Sequence, residues 1–125
     1  MTDLEMLALA AKTAGHVLHP EWNCAEAGIF LGSGVDGDLQ YVWNPLADDG
    51  DALRLAVRLQ ITVCNEHLSA GEVYCTRYMD EVFPSVTSVT DNAALIPTVN
   101  PEDYAATRRA IVLAAAEIGR TMRDV

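Results

Sequence analysis

An α+β fold, with an antiparallel sheet from two β-hairpins packed against three helices, is predicted by three features of the chain. The two ends carry amphipathic stretches with helix-start signals. A third apolar stripe begins near residue 51. Between them lie two pairs of short β-favouring runs joined by turn residues. Local hairpins imply an antiparallel sheet, and helices with one apolar face must cover at least one side of it. The expected order is α-ββ-α-ββ-α, in a single domain of 125 residues.

The first helix is announced by Thr2 with Glu5 three positions on, a capping box. Leu4, Leu7, Ala8 and Ala11 give it one apolar face, and Gly15 is a suitable stop. Ala27–Leu31 and Leu39–Trp43 read as a hairpin around a glycine-rich acidic connection, with Pro45 ending its second strand. In "WNPLADDGDALRLAVRL" (43–59), Ala52, Leu55, Ala56 and Leu59 fall on one helical face, which predicts a helix over 51–60. Ile61–Cys64 and Val73–Tyr78 form the second strand pair around a turn near Ser69–Gly71, with a further short strand at Ser85–Thr90. The last helix starts at Asn100-Pro101-Glu102-Asp103, a cap followed by proline and dipole-matching acids. Tyr104, Thr107, Ile111, Ala114, Ile118 and Met122 track its stripe.

Half of the residues are apolar, so a sizeable core is expected. No apolar run reaches the length of a membrane span, and the acidic N-terminus, with Asp3 and Glu5, lacks the basic start of a secretory signal. Cys24, Cys64 and Cys75 are odd in number and suit free thiols in a reducing cytoplasm. The net charge is −10 and unevenly spread. Residues 1–53 set Lys12 alone against nine acids, a net of −8. Direct binding to nucleic acid is therefore disfavoured, and a partner protein with a basic surface is the natural complement.

The three carboxylates Asp48, Asp49 and Asp51 are the densest acidic cluster. A twelve-residue calcium loop opening at Asp48 would need a closing glutamate where Leu59 stands, so that template fails. A helix cap at Asp51 or Asp49, with the others beside the positive pole of the dipole, accounts for the whole cluster. "GSGVDG" (32–37) matches the dinucleotide fingerprint in letters only, because a β-like run rather than a helix follows it and Asp36 and Asp38 repel phosphate.

Cys64, His67 and Cys75 are candidate zinc ligands, with His16, His19 and Cys24 upstream. The paired knuckles of structural zinc sites are missing, so no metal and no cofactor is expected. Cys64 with His67, or Cys24 with His19, is a nucleophilic pair on paper only, since neighbours in sequence need not meet in the fold. Arg108 and Arg109 are candidates for gripping an anion, against the plainer reading of a solvated, locally paired face.

The block 43–59, the block "ATRRAIVLAAAEIGR" (106–120) and the opening "TDLEMLALAAKTAG" resemble segments of small phage and prophage proteins of uncharacterised function, some grouped under a phage ABA sandwich domain. The resemblance implies a layered α–β–α or α+β fold and a bacteriophage source, and it brings no catalytic residues. The functional expectation is a non-enzymatic phage or prophage accessory protein that binds a host protein in the bacterial cytoplasm. Inhibition of host defence in the anti-CRISPR manner is its typical form, with a nucleic-acid-binding protein as a fitting target. Asp36, Asp38, Asp48 and Asp49 are the expected partner-facing carboxylates. A binder or enzyme of a small nucleotide-like anion, held by Arg108 and Arg109, is the first alternative, and a virion structural or assembly role is the second. The apolar last helix serves a homo-oligomer as readily as packing within one chain.

Overall fold

The computed structural model describes residues 1–16, 29–32, 39–88 and 100–122. The observed order is α1 (Asp3–Thr13), β1 (Ile29–Gly32), β2 (Leu39–Trp43), α2 (Asp49–Arg58), β3 (Thr62–Glu66), β4 (Glu72–Arg77), β5 (Glu81–Val82), β6 (Val86–Thr87) and α3 (Pro101–Thr121). This is an α+β fold, and its strand pairings are all antiparallel.

Two hairpins form as expected, but they belong to separate sheets. β1 and β2 pair with each other, while β3 and β4 found a four-stranded sheet in which both β5 and β6 pair with β4. The chain between residues 81 and 87 therefore makes two short strands on one edge of β4, at Thr76–Arg77 and Glu72–Val73, rather than one run. Pro84 lies between them and cannot donate to a ladder, which explains the interruption.

Both anticipated helix boundaries of α1 hold. Thr2 accepts from the Glu5 N–H, and Glu5 accepts from the Thr2 N–H, both at 3.1 Å. At the other end Gly15, at φ 73°, lets the His16 N–H close on the Ala11 carbonyl at 3.0 Å. α2 ends in the same way, Ile61 N–H on Ala56 O at 2.9 Å, but here a non-glycine residue, Gln60, takes φ 56°.

The buried face of α1 lies part of a turn away from the expected Leu4, Leu7, Ala8 and Ala11 stripe. Met6, Leu7, Ala10 and Ala11 are the buried residues, whereas Leu4 is 37% exposed. The contact with α3 sets this rotation. Gly119 of α3 sits so close to α1 that an added Cβ would lie 2.4 Å from the Leu9 carbonyl oxygen. α3 also departs from a single stripe. It packs against α1, α2 and the four-stranded sheet at once, so Ala106, Ala110, Val112, Ala114, Ala115 and Ala116 are buried together with Ile111 and Ile118. Tyr104 and Met122, at the ends of the expected stripe, are exposed.

Opposite residues of an antiparallel pair share a face. Val63 and Cys75 turn toward α3, and the neighbouring pair Cys64 and Tyr74 turns away. Val73 and Cys75 are fully buried, while none of Thr62, Cys64, Glu66, Tyr74 and Thr76 on the opposite face is buried. No helix among the described residues is long and apolar enough to cross a membrane.

Candidate functional site

The three aspartates separate into three roles, and the cap is neither of the two residues expected. Asp48 is the N-cap of α2 and accepts the Asp51 N–H at 2.8 Å. A cap must keep an extended backbone, and Asp48 does so at φ −114°, ψ 120°, whereas Asp49 and Asp51 are already helical. Asp51 is buried. One of its oxygens accepts the Asn44 N–H at 3.0 Å and the other the Arg54 guanidinium at 2.8 Å. Asp49 points outward and pairs with Arg108 of α3 at 2.6 Å. All three carboxylates are thus held by groups of this chain.

Arg108 and Arg109, adjacent in sequence, leave α3 in different directions. Arg108 donates through Nε to the Leu46 carbonyl at 2.8 Å and pairs with Asp49. Arg109 pairs with Asp3 of α1 at 3.0 Å. The two guanidiniums are anchored to opposite neighbours and do not converge. Asp36 and Asp38, like His19, Cys24 and most of the 32–37 fingerprint, lie outside the described residues.

Cys64, His67 and Cys75 are likewise not assembled. The two cysteines occupy opposite faces of the sheet, and His67 turns into a different cluster. Among the described residues no three His, Cys, Asp or Glu side chains come together as a metal-holding group. Burial pushes the Cys75 thiol up to about 12, with the nearby Cys64 adding to the shift. On the outer face Tyr74 donates to Glu66 at 3.0 Å, and beside that carboxylate its phenol is pushed up to about 12.

A concavity of about 540 Å3 lies between α2, β3 and α3. Ala52, Leu53, Val63 and Ile111 wall it, and Tyr104 stands at its rim. Its inner end is polar. His67, just past β3, is 6% exposed and uses both ring nitrogens, Nδ1 with the Ser88 hydroxyl and Nε2 with Thr107 Oγ1 at 2.9 Å. Thr107 donates to Asn65 Oδ1 at 2.8 Å. A proton on Nε2 and none on Nδ1 gives every link one donor and one acceptor: Ser88 to His67, His67 to Thr107, Thr107 to Asn65. Asp103, with no exposed surface, sits 3.7 Å from His67 Nδ1 and accepts the Asn100 N–H at the start of α3 at 3.3 Å. The sequence gives His67 no local signal, because its partners are 21 and 40 residues away.

A second feature stands outside this groove. The loop joining β4 to β5 places Tyr78 and Met79 at φ 57° and 71°. Those side chains are 71% and 99% exposed, and Val82 beside them is 66% exposed. Arg77 stacks over the Tyr78 ring at 4.8 Å and pairs with Glu81 at 3.1 Å, which steadies the base of the loop.

No family model matches this chain, no curated protein matches it, and no solved structure matches it.

Proposed function

We propose that this chain is a binding protein rather than a catalyst, and that it docks on a host protein through the β4–β5 loop. The observation that carries this reading is the pairing of backbone strain with apolar exposure at Tyr78 and Met79. Left-handed backbone disfavours any residue with a Cβ by about 1–2 kcal/mol, and a fully exposed Met gains nothing in return within the free protein. Strain that the surrounding fold maintains tends to gather where a molecule meets its ligand. Asp80 and Glu81 beside the loop, with a net charge of −10 overall, favour a partner whose apolar pocket has a basic rim. The likeness of residues 43–59 and 106–120 to phage and prophage proteins supports a bacterial target, of which a host-defence or nucleic-acid-binding protein is the fitting kind.

The test is capture from bacterial lysate at low salt by the intact chain and by the double variant Tyr78→Asn/Met79→Gly. The wild type retains a specific protein, while the variant folds and loses it. Equal retention by both would remove the loop from the interaction.

A further inference from the structure

A different surface, the groove between α2, β3 and α3, has the size and lining of a small-molecule site. Its preference follows from asking which polar groups the fold has already used. Both nitrogens of His67 and the hydroxyl of Thr107 are engaged with each other and with Ser88 and Asn65. The Asn65 amide accepts from Thr107 through its oxygen, but its NH2 makes no hydrogen bond among the described residues. Arg108 engages Nε and one terminal nitrogen, and its second terminal nitrogen makes none among those residues. Hydrogen-bond donors are therefore what the groove has to offer. Its charge does not favour an anion: Arg108 already faces the Asp49 carboxylate, and the buried Asp103 carboxylate lines the inner end.

We infer that this groove binds an uncharged, compact apolar molecule bearing a hydrogen-bond acceptor, such as an aromatic amide or a neutral heterocycle with a ring carbonyl. The apolar body lies between Leu53 and Ile111, and the acceptor meets the Asn65 NH2. A phosphate-bearing ligand would leave its charge beside Asp49 and Asp103, so a bare nucleobase fits where its nucleotide does not.

The intact protein is titrated by NMR with benzamide, benzoate, phenyl phosphate and ethylbenzene. Benzamide is expected to bind with a Kd on the order of 1 mM, in line with its few heavy atoms. It should bind at least about fivefold tighter than the two anions and than ethylbenzene, which lacks the acceptor. The backbone amide signals of Ala52, Val63 and Thr107 should move. Asn65→Asp keeps the oxygen that Thr107 donates to and replaces the free donor with an acceptor. In that variant the preference passes from benzamide to benzamidine by about fivefold or more. Four results would each overturn the inference: tighter binding of either anion, no saturable shift up to about 10 mM benzamide, shifts centred away from the groove, or an Asn65→Asp variant with unchanged preference. Tyr78→Asn/Met79→Gly should bind benzamide like the wild type, so the groove and the loop stand or fall separately.

Discussion

Asp51 Oδ2 holds the backbone N–H of Asn44 at 3.0 Å, joining the first turn of α2 to the residue that follows β2. The bond is buried, so losing the acceptor strands a donor away from water. Asp51→Ala is expected to destabilise the fold by about 1–3 kcal/mol. Asp48→Ala removes a cap and should take about 1 kcal/mol. Asp49→Ala removes one partly exposed ion pair, for which about 0.2–1 kcal/mol is expected. Urea unfolding of the three variants checks the ranking, and an Asp49→Ala effect equal to that of Asp51→Ala would contradict it.

Gly119 faces backbone rather than a movable side chain. A methyl group there would lie 2.4 Å from the Leu9 carbonyl oxygen, so α1 and α3 must move apart to admit it. Gly119→Ala should therefore destabilise by about 1–3 kcal/mol, although alanine is the better helix former. An unchanged melting temperature would show that the two helices are not this close.

Glycine should act in the opposite sense where the backbone is already left-handed. Gln60 at φ 56° and Met79 at φ 71° are both held there with a Cβ. Gln60→Gly and Met79→Gly are each expected to add about 1 kcal/mol of stability, visible as a raised melting temperature. Only the second should impair partner capture. A stabilised Met79→Gly protein that no longer binds would show stability given up for recognition.

His16 lies edge-on to Trp43, with ring centroids 5.0 Å apart. Burial first, then the Arg58 guanidinium, lowers its pKa from 6.5, with Asp51 opposing. The folded protein thus binds fewer protons than the unfolded chain just below pH 6.5, and the stability this contributes is lost as the pH falls through the folded-state value. Thermal melts between pH 5 and 7.5 should show a decline on the acid side that His16→Gln reduces. The same slope in both proteins would assign it to other groups.

Cys75 should resist iodoacetamide at pH 8 in the native protein and react once denaturant exposes it, because its thiol is buried and held protonated. Mass mapping of the labelled cysteine distinguishes this from native-state reactivity.

The ends of α1 were the most legible part of the sequence because caps are local: Thr2, Glu5 and Gly15 act within one turn of the residues they serve. The same locality drew the strand pair of β3 and β4. What a sequence window does not contain is the neighbour. Leu4 reads as core until α3 fixes the rotation of α1, and Ala106, Ala110 and Ala115 read as off-stripe until helices and sheet press on α3 from several sides. The groove was hidden for the same reason, since Asn65, His67, Ser88 and Thr107 come from three distant stretches. The left-handed backbone at Tyr78 and Met79 goes against residue preference, so preference pointed elsewhere.

The cluster around His67 also grips the chain at two points, Ser88 through the imidazole and Asn100 through Asp103, 3.7 Å from that ring. Ser88, which follows β6, and Asn100, which caps α3, are therefore fastened at one place. Loss of the imidazole should therefore loosen Ser88 and the start of α3 together.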